Sequence, residues 1–279
     1  RNSFSAILSL GKNIGGTNPA VANKLYWSTV IPSMLYGVQV LCLSEAALDS
    51  LEQEHRSFGK RIQCLPATTS THAAYRLLGW KSVRAYHDII VLNFFYKTLL
   101  MHCSCIFKRL VLFRIVHLRI SQSQLGGPTS YFIHLCNKYN VIEYVTTLID
   151  TGRSVTIDQW TEMCKLAIKK REDFFYAIEL GMCEKLSNMY NLRPGLHQWW
   201  KVAKAHPQSL QACRFMAKCL VGEGPLAWNT GRHVKPRSIQ NQMCTVCNNG
   251  GFETIKHFLF ECPALCKTRQ SFLDTLKRV

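Results

Sequence analysis

Acidic residues are what this sequence lacks most: 17 Asp and Glu stand against 34 Lys and Arg in 279 residues, a formal net charge of +17. That imbalance points to a polyanionic partner, nucleic acid before membrane, because neutralised phosphates release their condensed counterions. Familiar catalytic signatures are missing too. No G-x-S-x-G, Walker A or H-E-x-x-H pattern occurs, and Gly11-Lys12 lacks the phosphate-loop frame. Neither a secretory signal nor an N-x-S/T sequon is present. Convincing period-two alternation of apolar residues, the mark of half-buried strands, is absent almost everywhere, so the sequence predicts a mainly α fold.

What is present is an ordinary globular mix, 47% hydrophobic and 18% charged, which predicts a packed core. The charge is uneven. Residues 76–125 carry eight Lys and Arg against one acid and residues 201–279 carry twelve against four, whereas residues 126–200 balance at eight each. Two basic patches are expected, each with a solvated helix face as its structural alternative. Thirteen cysteines, an odd number without a disulfide-like framework, favour a reducing, intracellular setting with one metal site and the remaining thiols buried, Cys103-Ser104-Cys105 among them. Position 1 is Arg, which fits processing or a piece of a longer reading frame.

Along the chain, Leu25 to Ser44 holds no charged residue. Ser28, Thr29, Pro32, Ser33, Gly37 and Gln39 dilute its apolarity, so a buried helix is expected rather than a membrane span, capped by Asn18, started by Pro19 and bent at Pro32. Ser44 should cap a helix from Glu45 to about Cys64, with Leu48, Leu51, His55, Phe58 and Ile62 on one face. A short helix ends at Gly79, and Ser82 caps a long one reaching about His102. In Ile106 to Ile120, Lys108, Arg109, Arg114 and Arg119 interrupt an apolar helical pattern, giving either a phosphate-contacting face or a surface helix whose arginines snorkel. Gly126-Gly127-Pro128 is the clearest break. Further helices are expected over 130–149, 158–190, 196–205 and 207–220, and the mixed signs of Lys169-Lys170-Arg171-Glu172-Asp173 suggest a solvated face.

The most specific pattern lies near the C-terminal end: Cys244, Cys247, His257 and Cys262, read as C-x2-C-x9-H-x4-C. Three thiols and one imidazole suit one tetrahedral Zn²⁺, a borderline-soft ion that closes a structural site with four S and N ligands. Thr245-Val246 is the two-residue gap that aims two sulfurs at one ion, and Asn248-Asn249-Gly250-Gly251 supplies the turn. Cys266 is the rival fourth ligand. Arg232, Lys235 and Arg237 in the linker ahead of the site, with Lys256 and Arg269 within it, are the candidate phosphate contacts, joined by Lys108, Arg109 and Arg114 from the earlier patch. Phe252, Phe258 and Phe260 offer rings for stacking on bases, although Phe258 and Phe260 are expected to form the miniature core of so small a unit.

Two stretches carry a resemblance. Residues 25–37, LYWSTVIPSMLYG, followed by Gln53, Leu65-Pro66 and Leu78-Gly79-Trp80, resemble the thumb-side region after the polymerase core of non-LTR (LINE-type) retrotransposon reverse transcriptases. Cys244-x2-Cys247 with the run from His257 to Pro263 is similar to the C-terminal CCHC zinc knuckle of the same proteins. The resemblance implies target-primed reverse transcription for a parent protein, a ribonucleoprotein of nucleus and cytoplasm, in which thumb, linker and knuckle hold template RNA or target DNA beside a palm missing here.

Polymerase chemistry needs carboxylates on two Mg²⁺, in that family including a Tyr-x-Asp-Asp motif, and this sequence has no Asp-Asp pair. Only seventeen residues follow Cys262, with Asp274 their one carboxylate, so no nuclease centre is expected there either. The expectation is therefore a non-catalytic, mainly α chain: a thumb-like helical region over 1–125, a helical linker region over 126–221, a basic linker over 222–243, and the knuckle with a C-terminal helix over 244–279. The rival expectation is a zinc-stabilised helical module that binds a protein instead of nucleic acid.

Overall fold

The computed structural model describes residues 6–7, 9, 16–41, 43–121, 126–183, 186, 189, 192, 195–231, 234–235, 238–247, 249 and 251–270. The fold is mainly α, and the only extended pairings among the described residues are two isolated bridges, Leu78 with Leu196 and Met243 with Phe252. Local chemistry sets most helix ends. Asn18 accepts the Ala20 N–H and Pro19 opens α1 (Pro19–Leu25). The chain then widens into a π-helical stretch, Tyr26–Val30, before α2 (Ile31–Met34). Pro32 cannot donate to the carbonyl four residues back and its ring crowds that carbonyl, and the widened turn just ahead relieves both. The helix expected to reach Ser44 stops at Met34. Tyr36, Val40 and Leu41 beyond it are exposed, and among the described residues no helix is long and apolar enough to cross a membrane.

Serine hydroxyls cap the next three helices. Ser44 receives Ala47 N–H at the start of α3 (Glu45–Ile62), Ser70 receives Ala73 N–H for α4 (Thr71–Leu78), and Ser82 receives Ala85 N–H for α5 (Val83–Leu100). Gly79 closes α4 at φ +71°, with Gly79 N–H on Arg76 O and Trp80 N–H on Tyr75 O, the paired bonds of a Schellman ending. A Cβ there would also lie 2.8 Å from the Gly195 backbone. Then come α6 (Ile106–Ser121), α7 (Pro128–Lys138), α8 (Ile142–Thr151), the 26-residue α9 (Ile157–Met182), α10 (Gln198–Ala205), α11 (Leu210–Leu220) and the short α12 (Ala227–Thr230).

Two expectations need correction. The helix read over 130–149 is two, because Asn140 takes a left-handed φ of +54° and turns the chain between α7 and α8. The helix read over 158–190 ends at Met182, while Tyr190 itself lies outside the described residues.

Packing divides the helices between two apolar cores. Buried side chains drawn from between Ile7 and Val83 and between Tyr176 and Val221 build one, and others from between Ala85 and Ile168 build the second. In the first, Tyr26 packs against Phe58 and Trp80 with ring centres 4.8 and 4.6 Å away and meets His55 Nδ1 through its hydroxyl. His55 Nε2 faces the Lys81 carbonyl at 3.0 Å, so that nitrogen carries the hydrogen and Tyr26 donates to Nδ1. Burial then pushes the His55 pKa down to about 3. Of the residues singled out between Leu25 and Trp80, Tyr26, Trp27 and Trp80 meet in this cluster, whereas Tyr36, Gln53 and Pro66 are exposed.

In the second core Tyr96 stacks on Trp160 at 4.2 Å and Phe95 on Phe132 at 5.0 Å. Asp88, 1% exposed, accepts from Tyr131, Tyr139 and Lys138 at 3.0, 2.7 and 2.7 Å. Burial alone would raise its pKa, but His87, Lys138 and Tyr139 outweigh that and hold it at about 2. Helix α9 joins the two cores, burying Trp160, Cys164 and Ile168 in one and Tyr176 and Leu180 in the other. Helices α6 and α7, on either side of Gly126-Gly127, share the second core.

Candidate metal centre

The four residues of the C-x2-C-x9-H-x4-C pattern converge: their ligand atoms all lie within 4.8 Å of one another. Cys244 is placed by the Met243–Phe252 bridge and donates its N–H to Gly251 O at 2.8 Å. The turn over 245–247 then brings Cys247 back beside it. His257 opens a π-helical turn, His257–Glu261, with its N–H on Thr254 Oγ1, and Cys262 ends that turn with its N–H on His257 O. A turn-based pair and a helical pair therefore face each other. Asn248 and Gly250 of the expected turn lie outside the described residues.

Two edges of the cluster test its fit to a metal. Cys244 Sγ and Cys262 Sγ are 3.9 Å apart, and Cys247 Sγ lies 3.4 Å from His257 Nε2. Tetrahedral coordination with metal–sulfur bonds of about 2.3 Å and metal–nitrogen bonds of about 2.0 Å gives edges of about 3.8 and 3.5 Å. The cluster can hold one metal ion. Burial works against ionising Cys244, but the N–H groups of Cys247 and Val246, with His257 and the Cys247 thiol, bring its pKa down to about 7. Asn249 N–H favours the Cys247 thiolate, yet burial and the neighbouring thiols of Cys244 and Cys262 leave that pKa raised. Cys266, the rival ligand, is exposed and stands outside the group.

The segment is braced against the helices. Glu253 accepts the Ala227 N–H at the start of α12, Trp228 meets Phe252 edge to face at 5.0 Å, and Phe258 lies 6.3 Å from Phe215 of α11. At Gly231 a Cβ would fall 2.0 Å from Asn241 O, so the chain passes there only without a side chain. Phe258 is half-buried, but Phe260 is 71% exposed, which corrects its expected place in a miniature core.

No family model, curated protein or solved structure matches this chain.

The candidate phosphate contacts fall into three groups. Arg232 and Arg237 lie outside the described residues, and Lys235 between them is exposed. Lys256 is exposed beside Glu261, which raises its pKa, and Arg269 donates to the Cys262 carbonyl at 2.7 Å, bracing a ligand residue directly. On α6, Lys108 donates to Met101 O, Arg109 to Cys103 O and Arg114 to Gly126 O, at 2.8, 2.9 and 3.1 Å. An arginine has five N–H donors, so such a bond leaves others for an anion. Cys103, expected to be buried, is exposed on the turn before α6, and Cys105 is only partly covered.

Proposed function

We propose that this chain is a zinc-stabilised helical module that binds RNA or DNA, and that it is the C-terminal part of a non-LTR retrotransposon reverse transcriptase, holding template or target for a palm located elsewhere. The observation that carries the reading is the closed Cys3His cluster, set in a segment with twelve Lys and Arg against four acids. Zinc, with Cys244, Cys247, His257 and Cys262 all bound to it, would supply a structural cross-link and leave no position open for a catalytic water. The protein's own residues then do the holding. Lys235 and Lys256, with Arg232 and Arg237 from the linker, would meet phosphates, and exposed Phe260 offers a face to an unpaired base. Lys108, Arg109 and Arg114 form the second phosphate-contacting surface.

The test is binding of structured RNA and of DNA by the full chain across a salt series. Contacts to several phosphates make log K fall linearly with log salt, so affinity should drop steeply from low to physiological ionic strength. A curve flat in salt, or no binding, would overturn the reading. The chain by itself is expected not to polymerise DNA on a primed RNA template with Mg²⁺, and detectable synthesis would contradict that.

One observation favours the protein-binding rival. On α6, Ile106, Leu110, Phe113 and Ile120 are exposed at heptad-like spacing, and Leu110 also lines an apolar cavity of about 540 Å³ with Phe94, Phe95 and Met101. A partner there would bind with little dependence on salt.

A further inference from the structure

We infer that the groove between α9 and the α7–α8 corner is a binding site for a nucleotide unit, an aromatic base with its phosphate, which extends the nucleic-acid reading to a surface remote in sequence from the metal cluster. The groove has a volume of about 550 Å³, within the roughly 300–1,000 Å³ of small-molecule sites. Its floor is apolar, from Val141, Met163 and Ala167. Two flat rings stand at its rim: Tyr144 is 40% exposed and Phe174 61% exposed. Lys138, Lys170 and Arg171 also line it, and no carboxylate does.

That combination of rings and cations is the one an unpaired nucleotide needs. A base stacks on an aromatic face at any sequence, and its phosphate takes charge-assisted bonds from Lys and Arg. Two nearby acids are engaged elsewhere: Glu172 accepts from the Ser82 N–H and hydroxyl, and Asp173 pairs with Arg76. Asp88 already pairs with Lys138, so Lys170 and Arg171 are the cations that the groove offers a phosphate. Arg171 lies with its guanidinium 5.3 Å from the Phe175 ring centre, and Lys170 is exposed. The turn that shapes the corner is the left-handed Asn140, whose exposed side chain lines the same groove and can offer both a donor and an acceptor to a base edge. Helical spacing alone places Met163, Ala167, Lys170 and Phe174 on one stripe of α9, but the 29 residues between Tyr144 and Phe174 hide from sequence that both line one groove.

The experiment uses the full chain and a single-stranded oligonucleotide of roughly a dozen nucleotides carrying 5-iodouracil, cross-linked by light and mapped by peptide mass. Cross-links to Tyr144 or Phe174 are expected. In parallel titrations, Tyr144→Ala and Phe174→Ala should each weaken strand binding by roughly five- to 150-fold, with Phe174→Tyr close to the parent. Both rings are exposed, so these variants keep the fold. A free nucleoside monophosphate that competes at the same site would make the ligand a mononucleotide, whereas competition only by strands makes it a segment of nucleic acid; each supports the groove.

Strand binding that survives both alanine changes, with cross-links confined to residues 238–270, would overturn the groove while leaving the proposed function intact. No strand binding at all would overturn both. Binding of an acidic peptide in the groove, without any strand, would replace the nucleotide with a protein partner.

Discussion

The helical body buries large aromatic side chains completely: Trp160, Trp200, Tyr26 and Tyr96 lie in cores assembled from distant parts of the sequence. Residues 238–270 differ. Phe260 and Phe252 are exposed, and the buried residues among those described are Cys244, His257 and Cys262, three of the four ligands. The body can be stabilised by removing apolar area from water, at about 25 cal/mol per Å², whereas the C-terminal segment has only partly covered side chains such as Phe258 to add. A unit whose interior consists of its own ligands needs an ion to hold it.

The largest expected effect separates the two regions. Chelating the metal, or Cys244→Ser with Cys247→Ser, should abolish hydrogen-exchange protection in residues 238–270 while α5 and α9 keep theirs; structural zinc contributes roughly 10–16 kcal/mol in small zinc-binding peptides. Protection lost in both regions at once would mean that the two are one cooperative unit. The converse change is Trp160→Ala, which empties the second core and should cost about 3–5 kcal/mol in denaturant unfolding with the metal retained. A loss below about 1 kcal/mol would remove Trp160 as a core anchor.

Asp88→Ala strands Lys138 and two tyrosine hydroxyls and should cost about 3 kcal/mol. Two limbs of acid sensitivity belong to the body. His55 has a folded pKa of about 3, below its unfolded value of about 6.5, so the unfolded state takes the proton first and stability falls as pH drops below about 6.5. Asp88 is depressed to about 2, so its contribution is full above about pH 4 and is lost as pH falls towards 2. His55→Gln should flatten the first limb only, which urea midpoints across that pH range would reveal. Smallest is Gly79→Ala, about 1–2 kcal/mol, from a strained left-handed φ and a Cβ against the Gly195 backbone. An unchanged midpoint there would mean that the 195–196 strand of chain moves aside.

What could be read from the sequence was what local chemistry decides. Asn18, Ser44, Ser82 and Gly79 end helices where they were expected, because a cap needs only the next two or three backbone groups. The metal cluster was legible for the same reason, four ligands in under twenty residues. Long-range facts were not. Nothing in residues 130–149 punctuates the chain with Gly or Pro, so the turn at Asn140 stayed hidden. The return of residues 176–221 to the N-terminal core, the exposure of Cys103, and the groove joining Tyr144 to Phe174 all depend on tertiary packing.

Metal content of the purified chain tests the central claim most directly. Elemental analysis should find one equivalent of zinc per chain, lost when Cys244 and Cys247 are both changed to Ser. Stoichiometric zinc retained by that double variant, or a parent protein folded over residues 238–270 without any metal, would contradict it.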